Sequence, residues 1–491
     1  MRLLNTSTLT LHYFPADPPP YAILSHTWGD QEVTFQEWLA KDRDQAIQMK
    51  SGFLKVESFC GKAAEAGYQW AWADTCCIDK SSSAELSESI NSMFRWYRSS
   101  CACFVYLSDV SDNRIALDSE FAQSRWFTRG WTLQELIAPA TVIFYSRDWL
   151  HMGTKGDHYR IISYITGIGK RSLLRFQQDR SVSIASRMSW ASKRQTTRLE
   201  DTAYCLMGIV GVNMPLLYGE GHKAFQRLQE EIMKVSDDQS LLAWTPLEPS
   251  PAPDDDARDQ ICHGYRGVLA ETPQQFSPNI RNRRPAAGFH YWRTPYMMTN
   301  KGLQIKLPLV PSASHSSTVF HAILDCTTRE PSSPDYTVLH GVGVPLVCVS
   351  DDGTQFGRVE GWPLRTFDFS RRRTEGLIRQ IYIRQHAGLQ PWVPAHLLFR
   401  RARNDELASS SRSVSGQSVG EVDDPHCEVV RAVTVEVLVL CGVYAFCGCV
   451  ERLVGGVGLA GEASTKQRRI FEDFRGRSAK EEGPLARYAV L

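Results

Sequence analysis

Through the first 150 residues, short apolar runs alternate with stretches of helical period, and each run closes in polar residues. Tyr21 to Ser25 reads as a buried strand ended by His26, Thr27, Trp28 and Gly29. From Phe53 the apolar positions Phe53, Val56, Phe59, Cys60 and Ala63 recur at helical spacing, with Gly67 as the stop. Tyr68 to Ala73 is a second strand, delivering Asp74, Thr75, Cys76, Cys77, Ile78 and Asp79 at its carboxyl end. Ser82 followed by Glu85 signals a capping box, and Leu86, Ile90, Met93 and Tyr97 continue it as a helix. Cys101 to Leu107 supplies a third strand, Trp131 to Ile137 a further helix and Thr141 to Tyr145 a fourth strand. This rhythm predicts an α/β fold, a parallel sheet flanked by helices and joined by right-handed crossovers. Ligands of such sheets sit outside the carboxyl ends of the strands, so chemistry is expected in the loops after Ser25, Ala73 and Leu107.

A chain of 491 residues exceeds what one hydrophobic core covers, about 250 to 300 residues, and is expected to divide. Residues 1–150 form the first domain and 151–245 a helical extension, clearest at Ala224, Phe225, Leu228, Ile232 and Val235. Pro246, Pro249, Pro251 and Pro253, with the acidic run after them, mark 246–260 as a linker. Residues 261–491 read as a β-rich C-terminal domain, from the runs Leu303 to Leu309, Val319 to Leu324, Leu346 to Val349, Ile378 to Ile383 and Val433 to Leu440. The Ser-, Gly- and acid-rich stretch 404–424 is expected as a mobile loop.

Lys plus Arg (55) nearly cancels Asp plus Glu (54), leaving no net field to draw the chain onto nucleic acid or an anionic membrane. The uncharged stretch Val437 to Val450 is about 14 residues, short of the 18 or more that a spanning helix needs, and its β-branched residues suit buried strands. Met1 to Phe14 lacks the continuous apolar stretch of a secretory signal. Thirteen scattered cysteines, an odd number, fit reduced buried thiols, so a cytoplasmic setting is expected.

Two motif matches lack their structural context. Gly416, Ser418 and Gly420 fit the nucleophile-elbow pattern but sit in the Ser-rich loop, without a strand-to-helix turn to expose the serine. Gly456, Gly458 and Gly461 fit the dinucleotide fingerprint with too little chain after them for the rest of that unit. Cys427, Cys441, Cys447 and Cys449 have no paired knuckle spacing, so no metal site is expected. Adjacent Cys76 and Cys77 are expected on opposite faces, one packed inward and one facing the loop.

The segment Ser124 to Leu136 carries more. On a helix Trp131 and Glu135 share a face, which sets a carboxylate beside a large indole. Such an apolar neighbour raises the carboxylate pKa or strips its water, both useful in catalysis. The same residues also read as core tryptophans with Glu135 paired to Arg129 or another base.

Six stretches in order, MRLLNTSTL, PPYAILSHTWG, WADTCCIDK, SRWFTRGWTLQELIAP, RLEDTAYCLMGIVGVNMPLLYGEG and AFQRLQEEIM, closely resemble the heterokaryon-incompatibility (HET) domain of filamentous fungi. They spread over the first half of the chain. The resemblance implies a role in vegetative incompatibility, a self/non-self recognition in which fusion of unlike hyphae triggers programmed cell death. It also implies a flavodoxin/TIR-like sheet, because the family domain is similar to Toll/interleukin-1 receptor (TIR) domains. In TIR-type NAD hydrolases the catalytic glutamate follows a Trp-x-x-x-Glu spacing, the spacing of Trp131 and Glu135. Glu135 is then the catalytic candidate, holding the ribose hydroxyls of NAD and favouring the oxocarbenium-like state as nicotinamide leaves. Ser25, Trp28, Asp74, Cys77, Asp79 and Trp131 are the substrate-positioning candidates.

No bound cofactor is implied, and NAD enters as a substrate. The implied partners are other protein domains, with self-association on activation, since no Gly-rich phosphate loop supplies an ATP-driven switch. Whether the domain is an enzyme stays open. The alternative is a non-enzymatic signalling module acting by homotypic assembly, or a diverged relative whose C-terminal half binds the signal.

Overall fold

Asn5 turns the start of the chain back on itself. Its Oδ1 accepts from the backbone N–H groups of Ser7 and Thr8 at 3.1 and 3.0 Å, and Arg2–Asn5 (β1) pairs antiparallel with Leu11–Tyr13 (β2). The computed structural model describes residues 1–389 apart from 42–43, 113, 180, 249–263, 283–294, 313–318, 329–339 and 369–376. The expected strand Val433 to Leu440, the loop 404–424, the glycine motifs at 416–420 and 456–461, Cys427, Cys441, Cys447, Cys449 and the stretch Val437 to Val450 lie outside these residues. So does most of the linker 246–260.

Tyr21–His26 (β3) is buried along its whole length, which is why it shows no polar alternation: helices cover both faces. The Ser51–Glu65 helix turns Phe53, Val56, Phe59, Cys60 and Ala63 into the core and ends at Gly67, whose φ of +85° needs a residue without a Cβ. Trp70–Trp72 (β4) returns parallel to β3 on one side. Ser82 caps the Ser83–Ser99 helix by accepting from Glu85 N–H at 3.3 Å, but the reciprocal half of the expected capping box is missing. The Glu85 carboxylate instead accepts from Asp79 N–H and pairs with Arg2 on β1. Ala102–Tyr106 (β5) then pairs parallel with β3 on the other side, followed by Val142–Tyr145 (β6), parallel to β5, and His151–Thr154 (β7), antiparallel to β6.

The sheet order is β2-β1-β4-β3-β5-β6-β7, so the expected parallel strands form its centre. Both edges are antiparallel, unlike the all-parallel expectation: β2 and β7 each follow their neighbour through a short turn that needs no crossover, and β1 runs antiparallel to β4. Connections leave β3 toward β4 and leave β5 toward β6, which places a topological switch point between the carboxyl ends of β3 and β5.

Helices Tyr159–Thr166, Lys170–Arg175, Ile184–Ser189, Asp201–Tyr204, Met207–Val210 and Lys223–Val235 make up the expected helical stretch. Ala224, Phe225, Leu228 and Ile232 are buried as their spacing predicts, whereas Val235, in the last helical position, is exposed. Beyond it lie Gly264–Arg266 (β8), Arg281–Asn282 (β9), Met297–Thr299 (β10), Gly302–Pro311 (β11), Val319–Thr328 (β12), His340–Cys348 (β13), Gln355–Val359 (β14), Arg365–Asp368 (β15), Leu377–Ile383 (β16) and Gly388–Leu389 (β17). Strands β13, β12, β11, β16 and β14 pair in turn, and β14 pairs back to β13, closing a barrel-like ring. Its interior is apolar, with Leu307, Leu324, Leu346 and Ile383 facing Leu242 and Val268.

Arg358 enters this interior, only 1% exposed. Its guanidinium lies 3.6 Å from the Trp244 ring centroid and donates to Leu242 O at 2.9 Å and to Trp244 O. The end of the helical stretch is thereby tied to the ring, and one apolar cluster runs from Leu3 to Ile383. No helix among the described residues is long and apolar enough to cross a membrane.

Candidate functional site

The last buried residues of β3 lie at the switch point. Ser25 is wholly buried; its Oγ accepts from Trp126 Nε1 at 2.8 Å and donates to Glu135 Oε2 at 2.5 Å. One residue pair on, Thr27 Oγ1 and Ser108 Oγ meet at 3.4 Å across the ends of β3 and β5.

Trp126 and Glu135 arrive on two short elements held by side chains. Ser124 caps the Arg125–Thr128 turn, a 3-10 segment, by accepting from Trp126 N–H, and itself donates to Asp109 Oδ1 at 2.7 Å. The Thr132–Ile137 helix carries Glu135 and has too few turns to be stable alone. Arg194 Nη1 fastens its start, donating to Arg129 O at 2.7 Å and Thr132 Oγ1 at 2.9 Å. Lys155 Nζ fastens its end, donating to Leu136 O at 3.0 Å and Pro139 O at 2.8 Å. The Leu136 carbonyl is among those a helix terminus leaves unpaired, and the Pro139 carbonyl lies just past the cap.

Glu135 is 7% exposed. Burial pushes its carboxyl up to about 8; the Ser25 hydroxyl works against that shift, the Asp74 charge adds to it, and Tyr97 and Arg194 oppose it. The carboxyl is therefore mostly protonated at neutral pH. Tyr97 donates to Leu24 O at 2.9 Å, which binds the Ser83–Ser99 helix to the same strand end.

A second group of polar residues surrounds Asp74, at the carboxyl end of β4. Asp74 Oδ1 lies 3.0 Å from His26 Nε2, and Oδ2 accepts from Trp28 Nε1 at 3.0 Å. Lys80 Nζ stands 3.9 Å from Oδ2 and 3.6 Å from the Trp28 ring centroid. Burial works to raise the Asp74 pKa, but Lys80, His26 and Trp28 together outweigh it and hold the carboxylate well below the usual range. His26 is pushed the other way, chiefly by burial and then by Lys55, so it is neutral and its Nε2 proton faces the carboxylate. His26 Nδ1 has no hydrogen-bond partner; Glu32 Oε1, itself bound to Lys55 Nζ at 2.5 Å, is 3.8 Å away.

Of the sequence-predicted residues, the structure thus joins Ser25 to Glu135 and Trp28 to Asp74. It does not use the Trp131–Glu135 spacing as expected: Trp131 precedes the helix at its cap, and its indole bonds to Asp201. The indole in the Glu135 network is that of Trp126. Arg129 donates to Thr197 Oγ1 at 3.3 Å, so it is not the base that pairs Glu135. Cys76 and Cys77 are both buried, against the expectation that one faces the loop, because Asp74–Cys77 forms a helical turn in place of strand. The Cys77 sulfur accepts from Ala73 N–H at 3.5 Å. Asp79 serves a surface turn, accepting from Gln36 Nε2 and from Ser81.

Sequence reasoning missed His26, Tyr97, Trp126, Lys155 and Arg194. His26 closing an apolar strand and Trp126 within SRWFTRGW were visible signals; Lys155 and Arg194 carried none. Among the described residues no group of three His, Cys, Asp or Glu is placed to hold a metal ion.

Residues 21–119 match the model of the family described as Heterokaryon incompatibility protein (HET), and residues 223–338 match a domain of unknown function, DUF8212. The first match encloses Ser25, His26, Trp28, Asp74 and Tyr97, while Glu135 lies beyond it. A segment of 225 residues, 44% of the chain, is 47% identical to "Vegetative incompatibility protein HET-E-1" of Podospora anserina. The chain spans only 16% of that relative's length. No solved structure matches. The chain therefore carries a HET-like region over residues 21–119 and a segment similar to a vegetative incompatibility protein.

Proposed function

We propose that this chain is an effector of vegetative incompatibility whose N-terminal α/β layer, TIR-like in architecture, sets off a cell-death response in the cytoplasm by cleaving NAD. The observation that carries the reading is the HET match over the strand ends that bear Ser25, His26 and Asp74, where His26 bonds to Asp74 and Ser25 donates to Glu135. In the reaction, the bond between nicotinamide and ribose C1′ breaks and nicotinamide leaves with the electron pair. Glu135, ionised, stabilises the oxocarbenium-like ribose electrostatically; water then bonds C1′ and loses a proton. Self-association of the domain completes activation.

The competing reading is a non-enzymatic module that signals by homotypic assembly. It is favoured by one feature: Glu135 is buried and held protonated, as a structural acid would be. Incubation of the full-length chain with NAD, following nicotinamide release, separates the two. Release by the wild type and not by Glu135→Gln supports the hydrolase. A folded wild type that releases none, while Glu135→Gln still triggers the response in cells, supports the assembly module.

A further inference from the structure

Trp28 is 47% exposed although it stands two residues after a fully buried strand. The ring is nonetheless fixed, because its Nε1 donates to Asp74 Oδ2 at 3.0 Å. Asp74 is fixed in turn through its other oxygen by His26 Nε2 at 3.0 Å, and His26 is itself buried. A carboxylate and a half-exposed indole ring are thereby locked in one relative geometry. Both attract a cation, the carboxylate by its charge and the ring face by its quadrupole.

The cation now present there is Lys80. Its Nζ lies over the ring at 3.6 Å from the centroid but 3.9 Å from Oδ2, beyond hydrogen-bond distance. Its flexible four-carbon stem allows it to withdraw toward solvent, and its side chain is already 32% exposed. A flat cation in its place covers the indole face and gains stacking area that an ammonium group does not offer. The site lies at the carboxyl ends of β3 and β4, and the Asp74 charge is felt at Glu135.

We propose that the Trp28 face and the Asp74 carboxylate form a recognition site for a planar organic cation of the N-alkylpyridinium class, with Lys80 as the internal occupant that such a ligand displaces. The inference rests on the NAD reading in that the pyridinium is the leaving end of that substrate. The geometry assigns the ring's seat, which that reading left unassigned.

The test is isothermal titration calorimetry of the full-length chain with 1-methylnicotinamide, a pyridinium cation, and with nicotinamide, the same ring without the charge. The cation binds about tenfold or more tightly than the neutral ring, and Trp28→Leu weakens it about tenfold, while neutral-ring binding changes little. Lys80→Met, which removes the competing occupant, tightens cation binding about threefold or more. Equal affinity for the two rings, or a Lys80→Met variant that binds the cation as weakly as Trp28→Leu, overturns the proposal. Charge-selective, Trp28-dependent binding by a chain that does not split NAD leaves this site standing and sinks the hydrolase. Cleavage of NAD with cation binding unchanged in Trp28→Leu does the reverse.

Discussion

Replacing Glu135 with Gln is expected to stabilise the protein at neutral pH, although it removes a buried, hydrogen-bonded side chain. The carboxyl is raised from 4.5 to about 8 by burial. A group raised in this way binds its proton more tightly folded than unfolded. Its contribution is full below about pH 4.5 and is lost as pH rises to about 8, a total of roughly 5 kcal/mol. At pH 7 roughly 3 kcal/mol of that is gone from the wild type. The glutamine amide still accepts from Ser25 but carries one more N–H than the protonated acid, a cost of about 1 kcal/mol. The variant is therefore about 2 kcal/mol more stable near pH 7 and close to equal near pH 5. Urea unfolding of both proteins across this range, followed by tryptophan fluorescence, reads the difference directly, because every other titrating group cancels. A gap that favours the wild type and does not change with pH means the native carboxyl is ionised, and the reasoning fails.

Arg358→Lys keeps the buried charge but loses the fork that reaches Leu242 O and Trp244 O, and the planar stack on the indole. A loss of about 2 kcal/mol in urea unfolding is expected; an unchanged midpoint removes the clamp from the account of how ring and helices join. Gly208→Ala places a Cβ 2.1 Å from the Phe94 Cβ, at the root of a side chain that cannot swing aside. Separation of the Met207–Val210 and Ser83–Ser99 helices then costs about 1 to 3 kcal/mol, visible as a lower thermal midpoint.

The central strands were legible because a strand buried on both faces is uniformly apolar, as in Tyr21 to Ser25, and the Phe53 helix because its apolar period is 3.6 residues. The edges were not. Arg2–Asn5 and Leu11–Tyr13 are short, with polar residues that a local pattern assigns to a loop, and only pairing with β4 makes them sheet. The ring closure of β13 on β14 is likewise a matter of partners and not of either strand's composition. In the site, a four-residue spacing places two side chains on one face only inside a helix, and the helix begins at Thr132, one residue after Trp131. Trp126 reaches Ser25 from a 3-10 turn, a geometry with no sequence period of its own.

The raised carboxyl and the cation site bear on one another. A protonated Glu135 cannot stabilise positive charge on a ribose, so the resting site is held in the wrong form for the proposed chemistry. In the wild type a pyridinium seated on Trp28 and Asp74 replaces the Lys80 charge, but in Lys80→Met it adds a positive charge where the Asp74 charge already reaches Glu135, and by the same coupling it lowers the Glu135 pKa. Ligand binding to Lys80→Met then releases a proton, and affinity for the cation rises with pH toward about 8 in that variant but stays flat once Glu135→Gln is added to it. Because Glu135→Gln is expected to stabilise the protein, a flat profile cannot be ascribed to unfolding. Proton release measured calorimetrically in buffers of different ionisation enthalpy distinguishes a carboxyl poised to ionise from one that is only part of the core: the first releases a proton on binding, the second none.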